Sequence, residues 1–155
     1  ARAAIENTRE KKSMMNGVII VFLIPCAITD LKSKTIPIWW TVVFGISAMI
    51  YQIFWKKQKL EAILFSMIIG VTLLVAAKIS NQRIGYGDGI IFLILGLWIG
   101  FWDGISLLFF SLILSSIISV YFIIVRRKGR DYRIPFIPFV TAAYIILEGT
   151  RFLSS

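Results

Sequence analysis

The chain has 155 residues, 58% of them hydrophobic and 16% charged, with a formal net charge of +9. A soluble domain of this length cannot hide so much apolar surface. The sequence contains no histidine, which excludes serine triads, cysteine–histidine dyads and most zinc sites, and its single cysteine excludes an internal disulfide or a cysteine zinc cluster.

Taken in chain order, residues 1–13, ARAAIENTREKKS, form a polar arm without an apolar run. Met14 and Met15 are plausible natural starts, and an origin of the arm outside the natural protein is left open. Residues 14–155 then form one transmembrane domain. Its apolar runs match the hydrocarbon thickness of a bilayer at about 20 residues per helix. Backbone groups in lipid must be paired within the segment, so the runs are helices, and the short alternating stretches of a membrane barrel are absent. The first expected span is Met14 to Thr29, ending at Asp30. It closes on LIPCAITD, faintly like a lipoprotein cleavage box, but Pro25 stands where a small residue is needed before Cys26, so the span is retained. The second is Ile36 to Trp55 and the third Leu60 to Ile79. The fourth starts at Ile84 or Asp88 and ends near Trp102, and is the least secure in length. The fifth is Gly104 to Val125 and the sixth Ile134 to Leu153. The fold class is all-α, a polytopic membrane protein of about six transmembrane helices.

The positive charge lies in loops, which argues against nucleic acid as a partner and for the headgroups of the lipid bilayer. The loops after spans one, three and five hold nine cations: Lys32, Lys34, Lys78, Arg83, Arg126, Arg127, Lys128, Arg130 and Arg133. The opposite side holds Lys56, Lys57, Lys59 and Arg151, and the arm's four cations would raise that count to eight. The basic loops predict that the ends of spans one, three and five face the cytoplasm, with both termini outside.

Most acidic residues have a structural reading. Glu61 sits in the first turn of span three, where the helix dipole favours it. Glu148 is spaced to pair with Arg151. Asp103 is expected to cap the WDG turn between spans four and five, and Asp131 lies among arginines. Asp30 and Asp88 differ. One ends span one, the other opens span four, and parity alone puts both at the same membrane face. A carboxylate in a span costs about 2.5 to 3.5 kcal/mol on insertion scales, so it marks a function or a pairing. The plain alternative is that Asp30 caps into its basic loop with Lys32 or Lys34 while Asp88 caps span four. Two carboxylates brought together share a proton, so one activates water and the other polarises a peptide carbonyl. That chemistry needs no metal and no cofactor. Glycines at 85, 87 and 89 around Asp88 would let backbone approach an extended peptide.

The GYGDG stretch fits the GxGD signature of intramembrane aspartyl proteases. The TDLKSKTIPIW stretch resembles the first-aspartate segment of type IV prepilin peptidases, in which an aspartate precedes Ile-Pro; here Asp30 precedes Ile36 and Pro37. The segment RIPFIPFV resembles the family's Pro-Phe-Gly-Pro-Phe segment opening the last helix. Three departures stand out: Ile90 replaces a frequent lysine, Ile38 an asparagine and Ile137 the glycine between the Pro-Phe pairs. With no methyltransferase part carrying cysteine pairs, the chain is similar to the short, peptidase-only form.

The resemblance implies an aspartic endopeptidase of a prokaryotic cytoplasmic membrane. It would cut the leader from prepilin-like or preflagellin-like precursors at the cytoplasmic face, with Asp30 and Asp88 as the pair. Gly85, Tyr86, Gly87 and Gly89 would shape the backbone beside Asp88, while Ile36, Pro37, Pro135, Phe136, Pro138 and Phe139 would support the site. Two alternatives stay open: a small proton-coupled transporter or channel, and an inactive peptidase-like assembly subunit. The oligomeric state is left open.

Overall fold

The apolar runs fold as six α-helices that turn back on one another without a strand among the described residues. This computed structural model describes residues 2–55, 59–80, 85–126 and 135–153. The expected span starts at Ile84 and Ile134 lie outside the described residues. So do Asp131, Lys56, Lys57, Arg83, Arg127, Lys128, Arg130 and Arg133.

α1 spans Arg2–Ser33, so the polar arm is not a separate coil but the first turns of the same helix. Asp30 lies inside the last turn of α1 rather than at its end. The helix stops at Lys34, whose φ of 52° is left-handed and whose N–H bonds back to the Asp30 carbonyl at 3.0 Å. α2 spans Ile38–Ile50 and continues as a π-helical turn, Tyr51–Trp55. α3 spans Leu60–Ile79, with Glu61 in its first turn as expected. α4 spans Tyr86–Ile99, α5 Phe101–Arg126 and α6 Ile137–Leu153. The break between α4 and α5 differs from the expected WDG turn. It is the single residue Gly100, at φ 90°, a conformation that favours glycine. Asp103 accordingly sits within the first turn of α5.

Among the described residues, four helices are long and apolar enough to cross a membrane by themselves: Glu10–Ser33, Ile38–Trp55, Leu60–Ile79 and Phe101–Phe122. α4 is shorter, 14 residues, or about 21 Å at the rise of an α-helix. Its surroundings explain how it gets by. α4 packs against α1, α2, α3 and α5, and Ile91, Phe92, Ile94, Leu95, Leu97 and Trp98 are all buried. A helix wrapped by its neighbours does not have to match the lipid on its own.

The tightest seam joins α3 and α4, which run antiparallel. A Cβ on Gly96 would collide with the Ser66 carbonyl, one on Gly70 with the Leu93 backbone, and one on Gly89 would lie 2.8 Å from the Leu74 side chain. In lipid the hydrophobic effect gives helices no reason to associate, so close packing through small residues must do so. α6 packs on α1 and α5, closing the bundle. Tryptophans mark both rims: Trp39 is exposed near the start of α2, and Trp55 and Trp102 at the opposite end, as expected of aromatic side chains at a membrane interface.

Candidate active site

Asp30 reaches the bundle interior because of where it falls on α1. Ile19, Phe22, Leu23, Cys26 and Ala27 form the buried stripe of that helix, and Asp30 continues it by one turn. Its carboxylate is buried, whereas Lys32 and Lys34 are exposed. The carboxylate reaches beyond its own loop. Its Oδ2 accepts the backbone N–H of Ile137, at 3.0 Å and 107 positions away, and interacts with the N–H of Phe136 as well. Ile137 is the first residue of α6. The first N–H groups of a helix have no partner inside it, and the dipole there favours negative charge, so Asp30 serves as a cap supplied from another helix. Lys34 adds its charge from the end of α1.

Asp88 is held locally. Gly85 is the residue before α4, Asp88 is the third residue of the helix, and the Asp88 carboxylate turns back to the Gly85 N–H. This is the acidic half of a capping box. The Asp88 N–H in turn bonds to the Gly85 carbonyl at 3.1 Å. A Cβ on residue 85 would lie 3.1 Å from Asp88 Oδ2, so glycine here lets the carboxylate fold back. The partly buried Asp88 carboxylate feels the charge of Asp30 directly, as expected if α1 ends and α4 begins at one end of the bundle.

The other site residues expected from the sequence divide into two groups. Gly87 and Ile36 meet: a Cβ on Gly87 would overlap the Ile36 side chain. The Ile-Pro segment and the glycine-rich segment are therefore one packing unit. Phe136 lies against Phe92, one turn beyond Asp88, with ring centroids 6.3 Å apart. The Phe136 carbonyl accepts the first bonds of α6, from Phe139 and Val140. The remaining residues serve elsewhere. Gly89 packs on Leu74, in the α3–α4 seam. Pro37 precedes α2 and its carbonyl accepts from both the N–H and the hydroxyl of Thr41. Pro138 and Phe139 form the first turn of α6, with Pro135 just before it. Tyr86 is exposed.

A second polar cluster, at the opposite end, is larger than the sequence suggested. Glu148 pairs with Arg151 at 2.9 Å, as expected from their spacing. Arg151 also pairs with Asp103, which replaces the turn-capping role expected of that residue. Asn16 donates to Glu148 at 2.7 Å and accepts from the Tyr144 hydroxyl at 3.0 Å. Neither Asn16 nor Tyr144 stood out in the sequence. A lone amide in the apolar run of α1 was the available signal, since a polar side chain in a span needs a partner.

A family profile described as the type IV leader peptidase family matches residues 17–124. No curated protein and no solved structure matches the chain.

Proposed function

The chain belongs to the type IV leader peptidase family, and from that premise we propose that it is an aspartic endopeptidase that removes leaders from prepilin-like membrane precursors. The observation that supports this reading best is that Asp30, in the last turn of α1, lies near enough to Asp88, in the first turn of α4, for its charge to act on that carboxylate. In this reading the two carboxylates share the hydrolytic water. One takes its proton while the other protonates or polarises the scissile carbonyl, and the roles reverse as the amine leaves. The backbone amides that hold Asp30 and Asp88 fix each side chain from one direction and leave its remaining lone pairs for water and peptide.

The exposed Trp39 near the start of α2 supports a site close to a membrane–water boundary. A substrate with an apolar helix and a polar leader would straddle such a boundary, its helix among the spans and its leader in water. The basic loops after spans one, three and five favour the cytoplasmic face for this boundary.

The test is cleavage of a type IV prepilin precursor co-expressed with the chain, read as a mobility shift. Asp30→Asn and Asp88→Asn should each abolish processing while the protein stays in the membrane. Full cleavage by either variant would remove the pair from the mechanism.

A further inference from the structure

The two carboxylates of the site are anchored in different ways. Asp88 is tied to Gly85, three residues earlier, so its anchor moves with its own helix. Asp30 is tied to a residue 107 positions away, so its anchor exists only while α6 is docked against α1. We propose that the backbone amide of Ile137 is a positioning group of the reaction: it fixes Oδ2 of Asp30, and the seating of α6 thereby decides whether Asp30 can act.

Three observations support this. Ile137 opens α6, so its N–H has no intrahelical acceptor to lose and is free to serve an outside group. The next residue, Pro138, has no N–H at all, so this turn offers few donors and one of them is aimed at Asp30. Finally, Ile137, Val140 and Ala143 are all buried and α6 packs on α1 and α5, so the amide arrives at Asp30 in a register set by packing. The groups that interact with Asp30 are then the Ile137 amide of α6 and the Phe136 amide just before it, the charge of Lys34 just after α1, and Asp88 of α4 and Cys26 of its own helix, which feel its charge. With Oδ2 held by Ile137, the carboxylate keeps lone pairs to offer the hydrolytic water. The inference rests on the reading of Asp30 and Asp88 as the hydrolytic pair.

The N–H can be deleted without deleting the helix, because proline is well tolerated at the first helical position. Ile137→Pro removes the N–H together with the buried side chain, and Ile137→Ala removes most of that side chain alone. A backbone ester between residues 136 and 137 removes the N–H and keeps the isoleucine, and serves if the proline variant fails to fold. Each would be reconstituted with a type IV prepilin precursor that the unsubstituted protein cleaves, and kcat expressed per folded enzyme. The ester should lower kcat about tenfold against the native chain, and Ile137→Pro about tenfold against Ile137→Ala, with KM changed by less than about twofold. A group that only supports the fold would reduce the folded fraction and leave kcat per folded enzyme unchanged. An ester form that turns over like the native chain would overturn the positioning role. If Asp30→Asn or Asp88→Asn still cleaves, or if the unsubstituted protein cleaves no prepilin offered, the hydrolytic reading itself fails, whatever the ester does.

Discussion

At one end of the bundle the carboxylates of Asp103 and Glu148 are closed by Arg151, and Asn16 and Tyr144 complete the network. At the other end the carboxylates of Asp30 and Asp88 are held by backbone amides, and the charge of Asp30 acts on Asp88. The two ends use the same side-chain chemistry for opposite purposes. A carboxylate whose oxygens are occupied by a guanidinium and an amide side chain is committed to joining helices. A carboxylate held by one or two N–H groups is oriented but still has lone pairs to offer. The contrast separates an end whose carboxylates are paired across helices from an end whose carboxylates are held by backbone amides.

The comparison can be broken most severely at what the two ends share. α4 carries Asp88 at its start and leads through Gly100 to Asp103, and its seam with α3 depends on Gly96 lying against the Ser66 carbonyl. Gly96→Leu should cost about 3 kcal/mol or more and disable both ends together, visible as loss of the folded protein in mixed-micelle unfolding. A folded Gly96→Leu variant would show that the seam is looser than the structure has it.

The second largest effect should separate the ends. Gly87→Ala forces the Ile36 side chain away. It should reduce cleavage at least tenfold, for a stability cost of about 1–3 kcal/mol, and leave the far network intact. The double variant with Ile36→Ala should regain part of the lost cleavage, since the smaller side chain restores the space. If Ile36→Ala gives no rescue, Gly87 acts by some route other than its packing against residue 36.

The reverse separation follows from Arg151. This side chain is 37% exposed and Asp103 is 44% exposed, so solvent screening limits what their pairing contributes. Arg151→Gln should cost about 1 kcal/mol and leave cleavage within about threefold per folded molecule. Tyr144→Phe should be milder, about 0.6 kcal/mol, as measured for interhelical hydrogen bonds in membranes, again without a loss of cleavage beyond about twofold. Both are read by unfolding midpoint and by prepilin processing in the same preparations. A collapse of cleavage in either variant, with the protein still folded, would mean that the far end does more than hold helices together.

Much of this arrangement was legible in the residues, and the rest was not for identifiable reasons. The placement of Asp30 follows from a buried stripe that begins at Ile19 and recurs at helical spacing, and counting spans puts Asp88 at the same end of the bundle. The helix ends were less legible. Trp102 and Asp103 read as a turn because Asp-Gly is a turn signal, yet Gly100 makes the break two residues earlier with a positive φ. The polar arm read as separate because it lacks an apolar run, whereas its backbone simply extends α1. The partners of the polar groups were hardest to read. Ile137 registered only as a departure from a glycine, because its contribution is a backbone N–H, which every residue but proline possesses. Asn16 meets Tyr144 and Glu148 across 128 and 132 positions, which no local pattern encodes. Gly89 sat within the glycine-rich signature but packs on Leu74, because one helix turn carries residues facing both the site and the seam.

The most direct measurement is of whether the two aspartates meet. In a background with the single native cysteine replaced, Cys26→Ser, residues 30 and 88 would be changed to cysteine as a pair and oxidised in native membranes. Residues 88 and 148, at opposite ends of α4 and α6, would be the control. Rapid linkage of 30 to 88, with none between 88 and 148, is the predicted result. Failure of 30 and 88 to link, or their labelling by impermeant thiol reagents from opposite sides of the membrane, would contradict it.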